Sequence, residues 1–493
     1  MTFGAGAPHS RLRRDHALLD SSQTYLNILI QCLIDCVAGT PQCPNCGRGQ
    51  MSKDYVERLP ATEPEPAAAR AGLSADGSGL LASEAGHSNR TGAEEFLLRC
   101  LSAGRKPLAA GREPAADWSE VVAIADKHGI TPLLYTRLKQ SGAQTCVPAD
   151  VWERLRRTHF ASAIRSMSFS GGLRKVLQRL CSSGIKVIVL KGAYLAEVVY
   201  GDDALRPMAD IDLLVPRAEL SRAQAILLDM GGPHQQPDDI EWCYRLGSHL
   251  PPVAYLGLAI ELHWAIALPT SPFRTDISGL WKRAHPATMV GIDVLALSSE
   301  DLLLHVCLHA SSKHCLGEGL RPLCDISETI QRFRSEMDWA EVAERAREWG
   351  AARHMGLMLN LAQGMLGADV PDAVLEQLVP GGIDERIFEA ARESVLDRTG
   401  YRQWVPLLDL LGVESIGDKA RLLWDRVFLS RGEMGETYPA SRNSRHLYRY
   451  YALRIRDVIR TYSSHTLRRG RLMVQNRGRD RNAALVNWLS EKS

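Results

Sequence analysis

At residues 185–190 the chain reads IKVIVL, a short, nearly continuous β-branched run that passes directly into KGAYLAEVVYG, a glycine followed by helix-like spacing. Such a run suits a strand covered on both faces. A second strand follows at DIDLLV (210–215), a helix at RAELSRAQAILLDMGG, and a third strand at LAIELHWAI (258–266). Strands separated by helical segments predict an α/β core over residues 185–297. The flanks read as helical: residues 96–184 before the core and 298–465 after it, with Asp117-Trp118 and Asp338-Trp339 each opening a periodic segment.

Composition bounds the remainder. The 493 residues are 45% hydrophobic, enough for a sizeable core. Lys plus Arg number 59 against 57 Asp plus Glu, so a net charge of +2 supplies no global field for nucleic acid or an anionic membrane. Eleven cysteines, scattered from Cys32 to Cys324, lack the spacing of a secreted disulfide framework and fit a reducing, cytoplasmic setting. No apolar run reaches the ~18 residues of a membrane span. Residues 1–56 read as a leader whose Cys32, Cys36, Cys43 and Cys46 are too tightly spaced for the usual four-thiolate zinc site. Residues 57–95 are rich in Ala, Gly, Ser, Pro and Glu and read as a disordered linker. Residues 466–493 form a basic tail, with six arginines in the sixteen residues of LRRGRLMVQNRGRDRN.

The acidic residues of the second strand carry the chemistry. Alternation puts Asp210, Asp212 and Leu214 on one face and Ile211, Leu213 and Val215 on the other. Two carboxylates on adjacent same-face positions repel, and a divalent cation between them relieves that repulsion; oxygen ligands favour Mg²⁺. Glu261 is the one downstream acid set on a strand by the same face logic, with His263 beside it. At the end of the first strand, Gly192 opens a helix whose free amides suit a phosphate, and Lys191 adds a positive charge there. Lys191 also suits an ion pair with Asp210, while Arg206 suits either a phosphate or the loop before the strand. His305 and His309 stand four apart on a helix, but no third ligand completes a zinc site and helical spacing turns His314 to another face, so core packing is the reading for them. Arg321 and Asp325, also four apart, read as an ion pair or, alternatively, as part of the acceptor pocket's wall.

The segments LKGAYLAEVVYGDDALRPMADIDLLV, IELHW and LHVCLHASSKH…LRPLCDI, in this order, resemble the uncharacterised nucleotidyltransferase family of the DNA polymerase β-type superfamily, from about residue 96 to about residue 460. The resemblance implies a small mixed sheet with mostly helical flanks and transfer of a nucleoside monophosphate from an NTP such as ATP to an acceptor. It implies that Asp210, Asp212 and Glu261 hold two Mg²⁺ ions and that the backbone at Gly192 cradles phosphates, with Lys191 and Arg206 as the further candidates for phosphate contact. Ala193 follows Gly192 where many members of the superfamily carry Gly or Ser, so a hydroxyl contact to phosphate is missing. The expected acceptor is a small molecule or a protein side chain, with His263 near it. Two alternatives stand behind this reading: a non-catalytic nucleotide- or partner-binding module, and transfer to a nucleic-acid end using the basic tail.

Overall fold

The computed structural model describes residues 92–102, 117–231, 247–269, 271–398 and 477–490, with isolated positions such as Tyr244 besides. These belong to one compact unit, residues 88–426 with 457–493; residues 1–87 with 427–456 form a second. The cysteine cluster Cys32–Cys46, most of the linker and the side chains of Arg468–Arg481 lie outside the described residues. Among the described residues no helix is long and apolar enough to cross a membrane.

The chain enters through α1 (92–101), which begins inside the end of the expected linker. It continues through α2 (Trp118–Lys127), α3 (Thr131–Gln140) and the 34-residue α4 (Ala149–Ser182). Asp117 accepts hydrogen bonds from the amides of Ser119 and Glu120 and so caps α2, as its position before the periodic segment predicts.

A six-stranded mixed sheet follows: β1 (Ile188–Val189), β2 (Asp210–Leu214), β3 (Val253–Tyr255), β4 (Leu258–His263), β5 (His285–Met289) and β6 (Ile292–Ala296), in the order β3-β4-β2-β1-β6-β5. A short helix, α5 (Lys191–Tyr194), springs from β1, and α6 (Leu220–Asp229) follows β2. The mixed sheet with helical flanks is the fold class expected from the sequence, and two hairpins extend it beyond the three strands read there. Each has a two-residue turn, Leu256-Gly257 at φ 51° and 80°, and Val290-Gly291 at φ 46° and 77°.

Two pairings bring the chemistry together. β1 runs antiparallel to β2, Ile188 opposite Leu214 and Val189 opposite Leu213, so the exit of β1 lies beside the acidic entry of β2. β4 runs parallel to β2 with Asp210 opposite Ala259, Asp212 opposite Glu261 and Leu214 opposite His263. The other face of β2 is core: Ile211, Leu213 and Val215 are buried, each stabilising the sheet by ~1.5–3 kcal/mol. A ladder of serines on α4 fixes the loop that feeds β2. Ser162 donates to the Ala204 carbonyl (2.7 Å), Ser166 to the Asp203 carbonyl (2.8 Å) and Ser170 to the Asp203 carboxylate (2.7 Å).

After the sheet come α7 (Ile277–Arg283, between β4 and β5 in sequence), then α8 (Ser299–Leu308), α9 (Leu320–Arg332), α10 (Trp339–Glu348), α11 (Ala352–Leu366), α12 (Asp372–Leu378) and α13 (Glu385–Asp397). Asp338 caps α10 through the amides of Ala340 and Glu341, repeating the Asp117 arrangement. Within the segment read as a basic tail, α14 (Arg477–Ser490) is helical and buries Leu485, Val486 and Leu489.

Candidate active site

The parallel register sets the Asp212 and Glu261 side chains next to each other, and the small Ala259 leaves room beside Asp210. Asp212 and Glu261 are both buried. His263 Nε2 lies 2.8 Å from Asp212 Oδ1 and 3.3 Å from Glu261 Oε2. A ring nitrogen facing two carboxylates must carry a proton, so His263 donates and ties the two acids together. Lys191 Nζ approaches Asp212 Oδ2 at 2.8 Å; the ion pair expected with Asp210 is formed with Asp212 instead. The antiparallel step explains it, because the Leu190 amide donates to the Asp212 carbonyl (3.0 Å) and the next residue is Lys191.

The two aspartates therefore differ electrically. Burial raises the Asp210 carboxyl, the neighbouring Asp212 charge raises it further, and its side chain makes no hydrogen bond or ion pair among the described residues. Burial pushes Asp212 the same way, but Lys191 and the hydrogen bond from His263 carry it well below the usual range. Glu261, also opposed by burial, is brought down to about 2 by the His263 hydrogen bond and the charge of His249. Lys191 remains charged because Asp212 and Asp210 outweigh its burial.

Two contributors, His249 and Lys313, escape a sequence reading, and a third, Asp325, has a partner that the sequence does not reveal. His249 forms a backbone β-bridge with His263 and donates its Nδ1–H to the Leu250 carbonyl (2.9 Å), with Nε2 at 3.7 Å from Glu261. Burial and the His263 charge lower His249 to about 4. Lys313 adds positive charge acting on Asp212 and Glu261. Asp325, on α9, anchors Arg206: Nε and Nη2 of the arginine bind its two oxygens at 2.8 and 2.9 Å, and the Tyr200 hydroxyl donates to the same carboxylate at 2.9 Å. Asp325 thus pairs across 119 residues with Arg206, not with Arg321. Arg206 Nη1 stays outside the fork and faces Gly192, where a Cβ would come within 3.3 Å of it. Asp210, Asp212, Glu261 and His263 thus share one face of the paired strands β2 and β4, with Lys191 at the exit of β1 against Asp212 and Arg206 Nη1 against Gly192.

A family model described as an uncharacterised nucleotidyltransferase matches residues 114–367, just over half of the chain. The chain belongs to this family. The match takes in every residue of the cluster. No curated protein matches the sequence. Among solved structures, a solution structure of the antibiotic-resistance factor ANT(2'')-Ia is similar, with 17% identity over 37% of this chain and 91% of that one, at a TM-score of 0.25, too loose a superposition to bear on function. Family membership supports nucleotidyl transfer by this chain, with a nucleotide as substrate.

Proposed function

We propose that the protein is an Mg²⁺-dependent nucleotidyltransferase that moves a nucleoside monophosphate from an NTP to a hydroxyl or similar nucleophile on a small molecule or protein side chain. The observation that carries this reading is the register of β2 against β4, which sets Asp212 beside Glu261 with Asp210 one same-face step away. The donor set fits a hard divalent cation: the Asp212 and Glu261 carboxylates lie together beside His263, and Asp210, one same-face step along β2, is raised by burial and by Asp212, a cost that a bound cation relieves. Asp210, Asp212 and Glu261 would hold Mg²⁺, which would supply activation of the attacking group and charge neutralisation at the leaving pyrophosphate.

The chain's own groups do the positioning. The amides at the start of α5, where Gly192 follows Lys191, would face the triphosphate, and the free Nη1 of Arg206 adds a donor fixed by Asp325. Lys191 holds Asp212 ionised before nucleotide arrives. His263 keeps Asp212 Oδ1 and Glu261 Oε2 at a set separation, while Asp212 Oδ2 is the oxygen that Lys191 pairs with and that a cation would have to share.

Incubating the protein with α-labelled NTPs, Mg²⁺ and a cell extract, followed by mass spectrometry of adducts, tests the reading. Labelled adduct and pyrophosphate are expected from the wild type and absent from Asp210→Asn/Asp212→Asn. Equal labelling by both proteins would sink it.

A further inference from the structure

Helical spacing separates His309 from His314. Five residues at 3.6 per turn leave their side chains about 140° apart, which is why neither looks like a ligand in the sequence. The backbone departs from that spacing at the end of α8. Residues His309–Lys313 form a π-helical turn in which the His314 amide donates to the His309 carbonyl at 3.1 Å. The wider turn swings His314 over His309, with ring centroids 4.3 Å apart and the two Nε2 atoms 3.2 Å apart. Glu318 Oε1 lies 3.1 Å from His314 Nδ1. One ligand atom each from His309, His314 and Glu318 can be chosen so that all three lie within 4.8 Å of one another.

We infer that His309, His314 and Glu318 form a transition-metal site of the zinc class, separate from the carboxylate cluster. Two imidazoles and a carboxylate suit Zn²⁺, whereas Mg²⁺ selects oxygen donors. Two imidazole nitrogens around tetrahedral zinc, with bonds of ~2.0–2.1 Å, stand about 3.3 Å apart, close to the spacing already present between the Nε2 atoms. Glu318 either completes the ligand set or accepts the His314 Nδ1 proton, which points the Nε2 lone pair at the metal.

A second observation points the same way. Between His314 and Glu318 the backbone holds two consecutive non-glycine residues in the left-handed region, Cys315 at φ 53° and Leu316 at φ 65°. Such residues are strained and persist where their surroundings over-determine them. A metal bound on both sides of the pair provides that restraint, and π turns recur at functional positions. Glu318 is otherwise held only loosely by Arg321, at 3.9 Å.

X-ray absorption on zinc-loaded wild-type protein tests the site without substitution. A shell with two imidazoles is expected. A shell with fewer than two imidazoles, or failure of the chelator-treated chain to take up Zn²⁺, overturns the inference. In parallel, Zn²⁺ titration of His309→Gln and His314→Gln should show affinity lowered on the order of 100-fold, with Glu261→Gln unaffected. Loss in Glu261→Gln with retention in both histidine variants would place zinc in the carboxylate cluster and refute the assignment.

Discussion

Asp210 and Asp212 occupy one strand face two residues apart, yet the fold treats them oppositely. The folded state raises Asp210 above its ordinary value, so it holds that proton more tightly than the unfolded chain does, and ionising it at neutral pH weakens the fold. Asp212 is lowered, so its contribution is present above the ordinary carboxylate value and is lost as pH falls through the folded one. Replacing each by asparagine should therefore separate stability from activity. Asp210→Asn is expected to raise stability at pH 7 by about 1 kcal/mol. Asp212→Asn strands the buried Lys191 without its counter-ion and should cost about 3–5 kcal/mol. Both should abolish nucleotidyl transfer. Urea unfolding at pH 7 checks the contrast, and equal destabilisation by the two changes would show that Lys191 does not distinguish them.

At the level of elements, the join between the turn before β2 and α9 rests on one carboxylate. Asp325 binds Arg206 through a two-bond fork and also accepts from Tyr200, with all three side chains largely buried. Asp325→Asn leaves the guanidinium without its charge partner, for an expected loss of about 3 kcal/mol. It also frees Arg206 from the place where Nη1 meets Gly192, so KM for the NTP should rise more than kcat falls; an unchanged KM would remove Arg206 from the phosphate site. The Asp210–Asp212 face was legible in the sequence because period-two alternation fixes it whatever the neighbours, and Glu261 followed by the same rule. Asp325 was not, since helical spacing offered only Arg321, whereas its partner lies 119 residues away. The hairpins escaped notice because their left-handed turn positions carry Leu256 and Val290 rather than Asn or Asp. Val290 tolerates φ 46° because its amide donates to Glu197 and its carbonyl accepts from Arg174. His314 was assigned to the wrong face because nothing local announces a π turn.

Across the whole unit, buried histidines on separate elements link folding to pH in one direction. Burial lowers His249 to about 4, His354 on α11 to about 4, and His305 on α8 to about 3, where Lys191 adds to the effect; His309 is lowered too. Each folded value lies below the ordinary histidine value of 6.5, so the unfolded chain takes up protons first as pH falls. Their stabilisation is complete above that value and is lost on descending from 6.5 towards 4, each site approaching about 1.4 kcal/mol per pH unit. The lowered carboxylates Asp212 and Glu261 begin to oppose folding only below their own ordinary values, 3.8 and 4.5, so the upper part of the window belongs to the histidines. Asp210 and Glu197, both raised, act in the other sense and soften the slope as pH nears their range. His354 isolates the effect, because it packs edge-on against Phe273 and burial is the whole cause of its shift. Denaturant midpoints measured from pH 7 to pH 5 should fall for the wild type, and His354→Met should flatten that fall by close to one proton's share. A midpoint independent of pH in the wild type, or an identical slope in the variant, would mean that these imidazoles are already protonated in the folded chain.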